Sequence, residues 1–106
     1  MGNLHVMNVY QALADPHRRR IIELVADAER SAGDIVEALT ISQPGVSKHL
    51  RVLREAGLLT VRKDAQRRLY RLRAEDLAEL DAWLEPFRRL WTGRVDALVD
   101  HLMRET

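Results

Sequence analysis

Apolar residues recur along most of this chain at steps of three and four, and alternate with polar ones over one short stretch. From Leu4 to Leu13, Met7, Tyr10 and Leu13 fall at helical spacing with Val6 and Val9 beside them, which predicts a short first helix. Asp15 and Pro16 follow in the preferred order of N-cap and first helical residue. They open a second helix through about Ala28, with Ile21, Ile22, Leu24 and Val25 facing the core. Ser31 and Asp34 have the spacing of a capping box, so a third helix runs from there to near Thr40 with Ile35 and Leu39 on its buried side. Ser42 caps a fourth helix, Pro44 falls in its first turn where a missing N–H costs little, and Ile41 packs on Val46 as a hydrophobic staple. Gly57 closes that helix at the C′ position. Beyond it, LLTVRKD and RRLYRLR alternate as two short strands joined by a turn around Asp64, Ala65 and Gln66, with Leu59, Val61, Tyr70 and Leu72 inward. The pattern from about Glu75 to Met103 is helical again, and Pro86 should break or kink it. The fold is therefore mainly α, about five helices with a small two-stranded β-hairpin.

Charge changes the meaning of the fourth helix. At 100° per residue Val46, Leu50 and Leu53 lie within about 60° of one another, one narrow apolar stripe. Its other face carries Gln43, Ser47, Lys48 and Arg51, with His49 at the margin, and no acid before Glu55. All of these side chains, and the capping Ser42, can hydrogen-bond to base edges or phosphates. Two short capped helices with such a face at the front of the second are what a helix-turn-helix needs to enter a major groove. The formal net charge of +1 conceals a strong asymmetry. Nine bases against two acids between Ile41 and Arg73 leave +7 there, so the remainder carries −6. Positive charge gathered on one third of the chain is the footprint of a polyanion-binding surface. Arg62, Lys63, Arg67 and Arg68 crowd the tip and outer surface of the hairpin, which would lie on the helical core as a wing and grip a phosphate or minor groove. Arg18 and Arg19, near the start of the second helix where the dipole slightly disfavours cations, are read as solvent or phosphate contacts.

Apolar positions at the two ends suggest pairing. Leu84, Phe87, Trp91, Val95, Leu98 and Leu102 recur at three- and four-residue steps, close to a coiled-coil seam. Both tryptophans and the only phenylalanine lie between Trp83 and Trp91, more aromatic surface than a lone terminal helix keeps. With 106 residues the chain makes one domain with a modest core, which a partner subunit would supplement. The expected organisation is a single domain over 1–106 with dimerisation helices at both termini, about 4–14 and 75–103, using Met7 and Tyr10 together with the six residues of the terminal stripe. Two recognition helices related by a twofold axis would read a pseudo-palindromic operator in successive major grooves, with half-sites about 34 Å apart.

The segments DPHRRRIIELV, SAGDIVEAL and SQPGVSKHLRVLREAGLL, followed by a basic hairpin ending in LYRL, resemble the ArsR/SmtB-type family of bacterial winged-helix transcriptional repressors. The resemblance spans roughly residues 8 to 103. It implies a homodimer that binds double-stranded operator DNA, paired through the terminal helices, and in many members released from DNA by a metal. It also implies a Gly-Arg pair at the wing tip, where this chain has Ala65 and Gln66. One family metal site uses thiolates, which a chain with no cysteine cannot supply. The other joins carboxylates and imidazoles across the terminal helices, for which only Asp96, Asp100, His101 and Glu105 offer themselves, and His101 has no second histidine three or four residues away. No metal site and no cofactor are expected, and the effector stays open.

Other classes fit poorly. The chain has no Gly-rich phosphate loop, nucleophile elbow or close metal triad, so it is not read as an enzyme. RNA binding lacks base-stacking aromatics in the basic region apart from Tyr70, which is placed inward. Neither an apolar run near 18 residues nor a charged-then-apolar leader occurs, so a cytoplasmic protein without membrane contact is expected. The reading is a sequence-specific transcriptional regulator, a homodimeric repressor using the helix Gln43 to Ala56. Two alternatives remain at this point: a winged-helix protein-interaction module without DNA binding, and a His/carboxylate metal-responsive repressor.

Overall fold

Local caps set most of the element boundaries. The structure, a computed structural model, describes residues 8–104, without the side chains of residues 92 and 94–97. Among these residues, six α-helices and three strands run in the order α1 (Val9–Ala12), α2 (Pro16–Val25), β1 (Arg30–Ser31), α3 (Ala32–Ala38), α4 (Gln43–Glu55), β2 (Leu59–Asp64), β3 (Arg67–Leu72), α5 (Glu75–Leu84) and α6 (Arg88–Arg104). Asp15 caps α2 by accepting the N–H groups of His17 at 2.7 Å and Arg18 at 3.2 Å. Ser31 and Asp34 form the expected capping box on α3, and Ser42 Oγ accepts the Gly45 N–H at 3.2 Å on α4. Gly57 takes φ 83°, and the N–H groups of Gly57 and Leu58 bond back to the carbonyls of Arg54 and Leu53. That pairing closes α4 with a left-handed residue where only glycine is unstrained.

Several boundaries depart from the sequence reading. Of the first helix, residues 4–7, including Met7, lie outside the described residues, and the remainder forms the single turn of α1, capped by Asn8. The second helix stops at Val25 rather than near Ala28, because the chain must leave it to pair Arg30 with Tyr70 and Ser31 with Leu69. This short β1 makes the hairpin a three-stranded antiparallel sheet, in the order β1-β3-β2. Two residues are too few for an alternation signal, and the strand exists only through tertiary pairing. Pro86 splits the last segment as expected. A 3-10 turn, Glu85–Phe87, separates α5 from α6, and Arg88 ties across it to Asp81 and Glu85.

The core is one cluster. Ile21 and Val25 of α2, Ile35 of α3, the Val46, Leu50 and Leu53 stripe of α4, Leu58, Leu59 and Tyr70 interlock, with Val9 and Ala12 of α1 joining them. Ile21, Ile35 and Leu53 are fully buried, each contributing about 1.5–3 kcal/mol by the usual transfer measure. Leu24, expected inward, is only half-buried. The β2–β3 register places Leu59 opposite Leu72 and Val61 opposite Tyr70, so one face of the hairpin lies on the helices. That packing fixes the wing relative to α4.

Candidate nucleic-acid interface

Because Val46, Leu50 and Leu53 hold one side of α4 in the core, the opposite side must face outward. Gln43, Ser47, Lys48 and Arg51 are all exposed there. Ser42 is exposed too, with its hydroxyl oxygen occupied by the cap it makes. Two clefts of about 550 and 230 Å³ open between α4 and the wing. Arg51, Arg54 and Thr60 line the first, and Arg54, Arg62, Lys63 and Arg68 the second. Arg54, common to both, was not among the sequence candidates. Its projection, about 20° from Gln43 on the helix wheel, was the available signal.

On the wing, Lys63 stands directly opposite Arg68 across the ladder. Like charges in that position cost stability unless an anion lies between them. Lys63, Arg67 and Arg68 are exposed. Arg62 is exposed as well, but its planar fork is engaged: Nε donates to Glu29 Oε2 and Nη2 to Glu29 Oε1, both at 2.8 Å. This bond holds the Glu29 carboxyl below the usual carboxylate range and the Arg62 guanidinium above its ordinary value. Ala65 turns the tip with φ 58°.

His49 is the exception on α4. Instead of joining the exposed face it is half-buried against α2, its Nδ1 lying 3.4 Å from Arg18 Nη1 and its ring 5.7 Å from that of His17. Burial, with Arg18, His17 and Lys48 adding positive charge, holds the imidazole below its ordinary value of 6.5 against the pull of Asp15. At Asp15 burial raises the carboxyl's pKa, but the N–H bonds from Arg18 and His17, with the nearby His49 and Arg18 charges, outweigh it and leave it lowered. Arg18 and Arg19 are also placed differently from the sequence reading. Arg18 donates to the carbonyls of Ala12 and Gln11, and Arg19 to those of Leu13 and Ala14, closing the end of α1.

Tyr10 of α1 meets Trp83 of α5 edge-on at 6.4 Å, and Trp83 meets Phe87 at 4.9 Å. Phe87, Trp91, Leu98 and Leu102 of the expected stripe are exposed, and so are Trp83, Leu90, Val99 and Met103, which widen it. Leu84 is half-buried, and the Val95 side chain lies outside those described. Among the described residues no three His, Asp or Glu side chains come together as a metal site. Asp100 and His101 are exposed on α6, while the Asp96 side chain and Glu105 lie outside the described part.

Two short helices, the second outward-facing and cationic, backed by a basic hairpin, define a winged helix-turn-helix, a class of DNA-binding domain. Residues 15–61 match the family described as bacterial regulatory protein, arsR family. The chain is 35% identical over 80 residues to the transcriptional repressor SdpR of Bacillus subtilis, covering 76% of this chain and 89% of the relative. It is 41% identical over 83 residues to the HTH-type transcriptional regulator Rv2034 of Mycobacterium tuberculosis, covering 78% and 75%. A crystal structure of a possible transcriptional regulator for arsenical resistance superposes with a TM-score of 0.70 at 38% identity, covering 91% of this chain and 97% of that one. The chain belongs to the ArsR family. It is a DNA-binding transcriptional regulator and not an enzyme, and members of its family bind DNA operators. No helix among the described residues is long and apolar enough to cross a membrane.

Proposed function

We propose that the chain is a homodimeric repressor that reads a pseudo-palindromic operator with α4 of each subunit, working in the cytoplasm away from membranes. The observation that carries this reading is the Gln43, Ser47, Lys48 and Arg51 face, exposed opposite the buried stripe of the same helix. Gln43 has the donor and acceptor pair that fits adenine, and Arg51 and Lys48 the donors that fit guanine or a flanking phosphate. Lys63, Arg67 and Arg68 on the wing, with Arg54 in the cleft beneath it, set the register through phosphates. Pairing uses Tyr10, Leu84, Phe87, Trp91, Val95, Leu98 and Leu102, with Met7 from the preceding segment. The radius of gyration, 17.8 Å, supports pairing, since a compact chain of this length has about 13 Å.

A duplex enriched by the wild type from a random pool tests the assignment of α4. Lys48→Gln and Arg51→Gln should each weaken binding by roughly tenfold, the value of one good base or phosphate contact, and flatten its salt dependence. Affinity within about twofold of the wild type for both variants contradicts it.

A further inference from the structure

We propose that Arg18 is a positioning residue for DNA binding, a strut that ties the first helix to the recognition helix through His49. The inference rests on α4 being the helix that meets DNA, and it concerns what holds α4 at its angle.

The guanidinium of Arg18 is half-buried and reaches both α1 and α4. Nε donates to the Ala12 carbonyl at 2.6 Å, Nη2 to the Gln11 carbonyl at 3.3 Å, and Nη1 lies 3.4 Å from His49 Nδ1. Ala12 and Gln11 belong to the single turn of α1, and Arg18 adds to the Gln11 carbonyl a donor beside the Ala14 N–H that it already accepts at 3.2 Å. One rigid planar fork therefore holds the end of α1 and the middle of α4 together, which a flexible ammonium could not do. On the other side α1 leans through Tyr10 on Trp83 of α5, within the exposed apolar face. A continuous set of contacts thus runs from that face through α1 and Arg18 into the recognition helix.

The link depends on the state of His49. As a neutral ring with its proton on Nε2, it offers Nδ1 to Arg18 as an acceptor. The charged and titratable groups around it are Asp15, which favours its protonation, and Arg18, His17 and Lys48, which oppose it. Once protonated, Nδ1 becomes a donor facing a donor, and two cations meet at contact distance. The strut should then open and α4 should lose its fixed orientation. The arrangement competent for DNA keeps the ring neutral and so binds fewer protons. By linkage, affinity falls as pH drops below about 6.5. A histidine lying on the DNA surface would act in the opposite sense, because an added positive charge strengthens binding to a polyanion.

The experiment is anisotropy titration of the full chain with the same enriched duplex, from pH 7.5 to 5.5 at constant ionic strength. Wild-type affinity should fall by about fivefold, the lower end of the usual coupling between linked sites. His49→Gln should flatten the profile. Arg18→Lys, which keeps the charge but not the fork, should flatten it too and weaken binding at pH 7.5. Were Arg18 only a cap on α1, Arg18→Lys would lower thermal stability and leave the profile intact. If that variant does not fold, the His49→Gln profile decides alone. A wild-type affinity that is level or rises toward pH 5.5, or a His49→Gln profile matching the wild type, overturns the proposal. Failure of the α4 assignment itself would show separately, as indifference to Lys48→Gln and Arg51→Gln at pH 7.5.

Discussion

Ala65 occupies the one non-glycine position with positive φ among the described residues, 58°, at the tip of the wing. An L side chain there pays roughly 1–2 kcal/mol relative to right-handed backbone, and glycine does not. Ala65→Gly is expected to stabilise the protein by about 1 kcal/mol, raising the calorimetric midpoint by several degrees. A lowered midpoint would show that the alanine methyl makes a contact worth more than the strain. Other single residues were readable in advance because their role is local. Asp15, Ser31, Ser42 and Gly57 do what short-range capping chemistry requires of them, within three residues of their own position. Arg18, Arg19 and His49 were not readable in this way. A long side chain chooses between water and carbonyls five to seven residues behind it, and His49 finds its neighbours 31 and 32 residues back. No periodicity records such a choice.

The recognition helix and the wing differ in how far their charge is available. The cations of α4 point out by necessity, since the opposite stripe is buried, and this made its exposed face legible from the spacing of three apolar residues. The wing was legible as a hairpin, with Leu59, Val61, Tyr70 and Leu72 turned inward as read, but the burial of Leu69 on the opposite face, where β1 pairs with β3, was not, and neither were its electrostatics. Glu29, in the connection between α2 and β1, reaches Arg62 only because β1 adds to the sheet. That contact makes Glu29 a competitor of phosphate for Arg62. Glu29→Gln should tighten duplex binding at low salt and steepen the slope of log affinity against log salt by about one unit, as one further phosphate contact does. Arg62→Gln in the same background should return the slope to its wild-type value. An unchanged slope in Glu29→Gln would mean that Arg62 does not reach the backbone of DNA.

The chain measures 58 × 39 × 22 Å, and among the described residues α6 packs mainly on the 3-10 turn that precedes it. A helix with Leu98, Val99, Leu102 and Met103 all at least half exposed has not buried its apolar side. Periodicity in the sequence revealed that side but could not say whether its own chain or another copy would cover it. The proposed pairing with a second copy would cover the face, and Leu98→Glu, which puts a charge in its middle, should then reduce the sedimenting species to a single chain. A species unchanged in mass would remove α6 from the interface. Two α4 helices carried by such a pair must meet one side of the duplex. The most direct measurement is therefore hydroxyl-radical footprinting on the enriched duplex. Two matched protections on one side of the helix, with centres about 34 Å apart, are expected. A single protected patch, or two on opposite sides of the duplex, would contradict the account.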